Sequence, residues 1–266
     1  GDFVTLEDTI LSQTGAVLPI VLAAHPQDTA SFRVAAQNLK QAFHLFEASF
    51  GDFRFSKVGY SLVPMTGGAM EHAENIAYPI LLAQSGLLYQ DVLVHELSHS
   101  WWGNLATCRT AEDMWLNEGM AVFSEWRFNE LFYGRNRYME LYRTAHKDLL
   151  QNAHFDDQGF WPLSGVPQQH TYSNTTYSKG ADFVHSLRSY LGDNLFFQGL
   201  RQALAATAWQ DWDAQDFMLA LEQATGASLH DFFQDWIYEG GWPLVLPHRW
   251  TEVPGQSGSW TIELQQ

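Results

Sequence analysis

Two histidines, His95 and His99, flank a glutamate in an H-E-x-x-H motif. In a helix, residues at i and i+4 share a face, so both imidazoles can point at one metal ion. Glu96, beside the first histidine, can reach a water on that ion without being a ligand. Catalytic zinc takes three protein ligands and keeps one position for water. Glu118 follows His99 with eighteen residues between them and supplies the third ligand. The pattern therefore predicts a single bound Zn²⁺.

The composition of the helix that carries the motif distinguishes a metal site from a chance match on a charged helix face. We predict this helix from Leu87 to Trp102, with apolar residues nearly all round, which indicates burial. Burying unpaired polar side chains costs roughly several kcal/mol, and a metal ion would satisfy them. A second predicted helix begins near Ala111, passes through Glu118 and ends before Gly134.

Composition bounds the classes of partner. The 266 residues carry a formal net charge of −16, which argues against a nucleic-acid partner because phosphates require a basic surface. The negative charge is compatible with a cationic substrate. Alternatively, it only keeps the surface well solvated. The one cysteine, Cys108, excludes an intrachain disulfide and is expected to be a small buried apolar group. We find no stretch long enough to span a bilayer, and the compartment is not determined by these features.

Hydrophobic periodicity predicts an α+β chain that is mostly α. We expect a strand at 17–22, a helix over 29–50 and an extended sheet edge over 70–78, which could pair with an extended peptide. A further helix should begin at Ser173 or Asn174 and run through Tyr177 to Leu191.

Three parts follow from this pattern. Residues 1–107 form an α/β lobe with the zinc helix, and residues 108–241 form a helical lobe with the third ligand. Residues 242–266 are expected to begin a following β domain, with strands at Leu244-Val245-Leu246 and Trp260-Thr261-Ile262.

Several motifs in order resemble the M1 (gluzincin) zinc aminopeptidases over roughly residues 15–245. They are the zinc motif extended to Asn104, Glu118 in an L-N-E-G run, Gly68-Ala69-Met70-Glu71 and Tyr177-Ser178-Lys179-Gly180. The resemblance implies a thermolysin-like catalytic domain that cleaves the first peptide bond of peptides with a free N-terminus. It also implies flanking domains that dock in the full-length protein. His72 stands where the family has asparagine, which bears on the geometry of the amine site.

The resemblance assigns roles. Glu96 would be the general base, and Tyr177 would donate to the oxyanion, unless it is a core aromatic. Glu71, with Gly68, Ala69 and Met70, would bind the substrate's α-ammonium, unless Glu71 is a solvated loop residue.

Glu74 is a weaker candidate for the amine site, and Tyr172 is a candidate for lining the cleft. Glu125 lies two turns beyond Glu118 and is expected either to accept from an imidazole or to lie at the surface.

Two other functions stay open at this point. One is an epoxide hydrolase of the kind found in a branch of the family. The other is a scaffold or binding domain that keeps the fold without catalysis. The complete set of His95, Glu96, His99, Glu118 and Tyr177 argues against a scaffold, which has no chemical need for all five.

Overall fold

The computed structural model describes residues 2–243, 246–254 and 258–265. Helices, with the 3₁₀ and π segments counted, hold more than half of these residues, which agrees with the mostly α prediction. The helices are α1 (Thr29–Ala35), α2 (Leu39–Phe50), α3 (Ile80–Gln84), α4 (Gln90–Ser98), α5 (Glu118–Tyr133), α6 (Arg135–Asp156), α7 (Gly180–Leu191), α8 (Asp193–Thr207), α9 (Ala214–Thr225) and α10 (His230–Phe233).

The strands form three small sheets, which together with the helices confirm the α+β class. A four-stranded sheet has the order β1 (Val4–Leu11), β2 (Val17–Ala24), β3 (Val58–Val63), β4 (Ile76–Pro79). The first pair is antiparallel and the other two pairs are parallel. The two-stranded sheets pair β5 (Thr107–Cys108) with β6 (Asp211–Trp212), and β7 (Leu246–Glu252) with β8 (Trp260–Gln265).

The large sheet holds α4 through buried tyrosines. The Tyr60 hydroxyl on β3 donates to the Leu93 carbonyl over 2.7 Å, and the Tyr78 hydroxyl on β4 donates to the Tyr89 carbonyl over 3.0 Å. Trp101, just after α4, is buried and donates its indole N–H to the Gly51 carbonyl. Each bond satisfies a polar group on an otherwise apolar ring. The motif helix is thereby fixed from both ends.

The helix predicted over 29–50 is two helices, and the single-helix prediction is wrong. α1 ends at Ala35 and α2 begins at Leu39. The Asn38 side chain between them donates to the Gln90 side chain over 3.0 Å, at the start of α4.

The extended segment predicted over 70–78 is extended only at its ends. The backbones of Met70 and Ala77 exchange two hydrogen bonds of 3.0 and 2.9 Å, so the chain doubles back between them. Glu74 lies in the turn with φ +62°. The turn crosses Gly59, where an added Cβ would lie 2.1 Å from the Glu74 carbonyl oxygen. The remaining strand, β4, is the sheet edge.

Three helices around the motifs start or end differently from the predictions. α4 ends at Ser98 because the following amides of Ser100 and Trp101 bond three residues back, to Leu97 and Ser98. A 3₁₀ segment, Ala111–Leu116, precedes α5, so Glu118 is the first α-helical residue. The predicted helix through Tyr177 begins with a π-helical segment, Thr175–Lys179, before α7.

The division into three parts stays a prediction. Residues 244 and 245 of the strand predicted at Leu244-Val245-Leu246 lie outside the described residues, and β7 begins at Leu246. The strand predicted at Trp260-Thr261-Ile262 is part of β8. Within the described residues, no helix has the length and apolar character needed to cross a membrane.

Candidate active site

The two motif histidines and Glu118 converge where α4 meets the start of α5. The His95 and His99 Nε2 atoms lie 3.2 and 3.5 Å from the same Glu118 oxygen, Oε2. All three residues are buried, and one ligand atom from each lies within 4.8 Å of the others. We call these three residues the ligand cluster. Two imidazole nitrogens and a carboxylate oxygen fit the donor set of a catalytic zinc ion.

The other ring nitrogen of each histidine is already paired. His95 Nδ1 lies 2.6 Å from Glu125 Oε1, and His99 Nδ1 donates to the Trp102 carbonyl over 2.8 Å. Such bonds fix the ring orientation and leave Nε2 for a metal. Of the two expectations for Glu125, the structure has the one in which it contacts an imidazole.

The electrostatics of the ligand cluster favour a positive charge at its centre. Burial opposes protonation of His95, but hydrogen bonds to Glu118 and Glu125 outweigh it and raise the pKa to about 10. Burial alone would raise the pKa of Glu118, yet the two imidazoles lower it to about 2. The same arrangement of negative and polar groups that favours a proton here would favour a divalent cation.

Glu96 and Tyr177 face this centre from two sides. Glu96 is 5% exposed, and burial raises its pKa to about 7, assisted by the nearby Glu71 and Glu118 carboxylates. The Tyr177 ring lies nearly parallel to that of His95, with centroids 6.3 Å apart. Burial and the Glu118 carboxylate raise the pKa of the Tyr177 phenol, so its hydroxyl stays a proton donor.

Glu71 approaches from the sheet side. Its carboxylate lies within 4.8 Å of ligand atoms of Glu96 and His99. The Asn104 amide donates to the Glu71 carbonyl over 2.7 Å, which fixes this backbone against the segment after α4. Glu74 instead accepts from the Ser56 backbone amide, so the structure does not bring this weaker candidate to the site. His72 is exposed.

One cavity of about 430 Å³ collects the predicted site residues. Tyr172, predicted as a cleft candidate, also lines it and is 67% exposed. All nine predicted site residues contribute to the lining, which comprises Gly68, Ala69, Met70, Glu71, Val92, His95, Glu96, His99, Glu118, Val122, Glu125, Tyr172 and Tyr177.

The contacts around the Tyr177 segment join residues distant in the chain and have no local sequence pattern. Asp157 accepts from the Thr175 hydroxyl at one end of this segment, Lys179 at the other end donates to the Trp161 carbonyl, and Gly119 packs directly on Gly180. The two glycines directly follow the motif residue Glu118 and the Tyr-Ser-Lys run. That position was the only available signal, and it does not show that they touch.

Comparison with known proteins identifies sequences that are similar to this chain. Residues 34–236 match the profile described as the Peptidase family M1 domain. Leucyl aminopeptidase of Saccharolobus solfataricus is 27% identical over 247 residues, which cover 87% of this chain and 31% of the relative. Glutamyl aminopeptidase of Bos taurus is 25% identical over 264 residues, covering 90% and 26% respectively. The chain thus spans about a third or less of the length of these relatives.

Solved structures show the same fold. An M1 zinc metallopeptidase from Deinococcus radiodurans superposes with a TM-score of 0.77 at 20% identity, covering 92% of this chain and 53% of that one. Legionella pneumophila aminopeptidase A in complex with aspartic acid gives a TM-score of 0.72 at 20% identity, covering 90% and 28%. The profile match extends over most of the chain and confirms the resemblance read from the motifs. This chain belongs to peptidase family M1.

Proposed function

We propose that this chain is the catalytic part of a zinc aminopeptidase that hydrolyses the first peptide bond of peptides with a free N-terminus. One observation carries the proposal: the buried ligand cluster opens on the same cavity as Glu96, Glu71 and Tyr177. Family M1 membership and relatives named as aminopeptidases support it.

The ligand cluster would hold one Zn²⁺. His95 and His99 present their Nε2 atoms to it, because Glu125 and the Trp102 carbonyl hold the opposite ring nitrogens. Glu118 contributes its carboxylate from the first turn of α5. When bound, the metal supplies a Lewis acid for the scissile carbonyl and for the attacking water.

Glu96 is the proposed general base. Its carboxylate lines the cavity directly beside the ligand cluster, and it belongs to α4, which holds His95 and ends one residue before His99. It takes a proton from the attacking water and passes it to the leaving amine, so that one group serves both proton transfers. Its burial restricts the side chain and would help to keep the carboxylate oriented between these transfers.

Glu71 is the proposed anchor for the substrate's α-ammonium. A charge-assisted bond to a carboxylate is strong and directional, and it requires a free amino group. Among the described residues, no lysine or arginine lines the cavity, so no ammonium or guanidinium of the protein competes there with the substrate amine for Glu71. This arrangement would restrict cleavage to the first peptide bond.

Tyr177 is the proposed donor to the oxyanion of the tetrahedral intermediate. Its hydroxyl stays protonated in this setting and lines the same cavity as the ligand cluster. A donor aimed at developing negative charge stabilises the transition state more than the ground state.

The test uses an aminoacyl reporter amide and the same reporter with its amino group acetylated. We expect zinc-loaded protein to cleave the free reporter, to lose this activity with a chelator and to regain it with added Zn²⁺. The acetylated reporter should be resistant. Zinc binding without hydrolysis would instead support the non-catalytic binding domain, and equal cleavage of both reporters would refute the role of Glu71.

A further inference from the structure

The π-helical segment Thr175–Lys179, with Tyr177 at its centre, is bound at both ends by a single loop, residues 157–161. At its first residue, the buried Asp157 carboxylate accepts from the Thr175 amide over 2.7 Å and from the Thr175 hydroxyl over 2.6 Å. The same carboxylate accepts from the Asn174 amide over 3.3 Å. These bonds occupy donors at the start of a helix that have no partner within it.

At the last residue of the segment, the Lys179 ammonium donates to the Trp161 carbonyl over 3.0 Å. Lys179 is 1% exposed, and burial lowers its pKa to about 8, so the protein bears a cost for placing an amine here. Its ammonium also lies 5.6 Å from the centre of the Trp242 ring. The charged end of Lys179 therefore has two partners, a carbonyl oxygen and an aromatic ring.

The loop itself is braced across its length. The Trp161 indole N–H donates to the Asp157 carbonyl over 2.7 Å, which joins the residue at one end of the loop to the residue at the other. The Asp157 amide donates to the Ala153 carbonyl in α6 over 2.8 Å. The two anchor points for the Tyr177 segment are thus parts of one rigid unit.

A π-helical turn is rare and is less favourable than an α-turn, so it persists only where surrounding contacts hold it. Released from the loop, the segment could relax towards α-helical geometry, which would change the direction of the Tyr177 side chain. We propose that Asp157, Thr175 and Lys179 are positioning residues that hold the Tyr177 hydroxyl in the catalytic cavity. This inference rests on the proposed role of Tyr177 and adds the groups through which that role is maintained.

A matched pair of variants at Thr175 tests the binding of the Tyr177 segment by residues 157–161 without removing a charge. Thr175→Val keeps the side-chain shape but loses the hydroxyl that donates to Asp157, whereas Thr175→Ser keeps the hydroxyl. We expect Thr175→Val to lower kcat about tenfold with little change in KM, less than the 10²–10³ or so expected for loss of an oxyanion donor. Thr175→Ser should restore most of the wild-type kcat. Lys179→Met, which retains the stem, should act like Thr175→Val.

A double-mutant comparison separates positioning of Tyr177 from a general structural effect. In a Tyr177→Phe background, Thr175→Val should lower kcat no further, because the hydroxyl that it positions is gone. A further loss equal to that in the wild-type background would overturn the proposal.

Hydrogen exchange of a peptide covering residues 173–180 gives a readout independent of activity. Thr175→Val and Lys179→Met should speed exchange in this peptide several-fold, and Thr175→Ser should not. Unchanged exchange in both loss variants would show that the loop does not order the segment, whether or not the protein is an aminopeptidase. If the wild-type protein hydrolyses no reporter while exchange responds as expected, the proposed function fails. The proposed ordering of the Tyr177 segment by residues 157–161 then remains supported.

Discussion

The backbones of Gly119 and Gly180 touch where α5 meets the start of α7. A Cβ added to Gly119 would lie 2.7 Å from the Gly180 Cα, and one added to Gly180 would lie 2.9 Å from the Gly119 Cα. This contact therefore sets the separation between the proposed third metal ligand and the proposed oxyanion donor.

We expect Gly180→Ala to force the two backbones apart. Overpacking of this kind costs about 1–3 kcal/mol, measurable as a lower free energy of unfolding in urea. Activity should fall more than stability explains, because Tyr177 moves relative to Glu118. The control is Gly67→Ala, since an added Cβ there meets nothing within 4 Å. Equal stability of the Gly180→Ala and control proteins would contradict the close contact.

Glu96→Gln tests the general base. The amide has the shape of the carboxylate but cannot accept the proton from water, so turnover should fall by roughly 10²-fold or more. The variant should still bind one zinc ion per chain, because Glu96 is not in the ligand cluster. Metal analysis and reporter hydrolysis on the same preparation measure both. Near-normal turnover in the zinc-loaded variant would remove Glu96 as the base.

Glu71→Gln tests recognition of the N-terminal amine. Loss of the carboxylate should weaken binding of the free reporter and reduce kcat/KM by about tenfold or more. Glu74→Gln is the matched control, because Glu74 lies on the same segment but binds the Ser56 amide. Equal losses in the two variants would indicate an effect on the segment rather than on the amine.

Glu125→Gln tests the orientation of His95. The carboxylate lies 2.6 Å from His95 Nδ1, and loss of such a partner typically lowers metal affinity by about 10–100-fold. Competition with a chromophoric chelator measures the zinc affinity. Glu140→Gln serves as the control, because Glu140 pairs with Arg137 on the exposed face of α6. An unchanged affinity in Glu125→Gln would show that His95 needs no such support.

His185 makes the free energy of unfolding depend on pH. Burial lowers the pKa of this imidazole from 6.5 to about 4, and its Nδ1 lies 2.7 Å from the Tyr138 hydroxyl. Between these pKa values the unfolded chain binds the additional proton, so stability falls as the pH drops from about 6.5 to 4.

Urea unfolding of metal-free wild type and His185→Asn isolates this contribution from the other titrating groups. As the pH falls across that window, the free energy of unfolding of the wild type should decrease by up to about 3 kcal/mol more than that of the variant. The same pH dependence in both proteins would show that His185 is not held neutral.

The sequence was most informative where short-range geometry determines function. Helical spacing alone placed His95 and His99 on one face, and the motif resemblance selected Glu71 and Tyr177, which line the same cavity. The apolar character of the motif helix indicates burial, and the structure buries its residues from Leu93 to Ser98.

What the sequence missed depends on contacts between distant residues. The break between α1 and α2 relies on Asn38 reaching Gln90, 52 residues away. The turn between Met70 and Ala77 fits against Gly59 from a neighbouring strand. No local sequence pattern encodes these contacts, or the hydrogen bonds from the loop to the two ends of the Tyr177 segment.

The most direct test of the account is a crystal structure of the zinc-loaded protein with anomalous data collected at the zinc absorption edge. We predict one strong anomalous peak, ligated by Nε2 of His95, Nε2 of His99 and the Glu118 carboxylate. The control histidine variant, His146→Gln, should retain that peak because His146 pairs with Asp182 instead. Zinc bound elsewhere, or no zinc at these three residues in saturated crystals, would contradict the central claim.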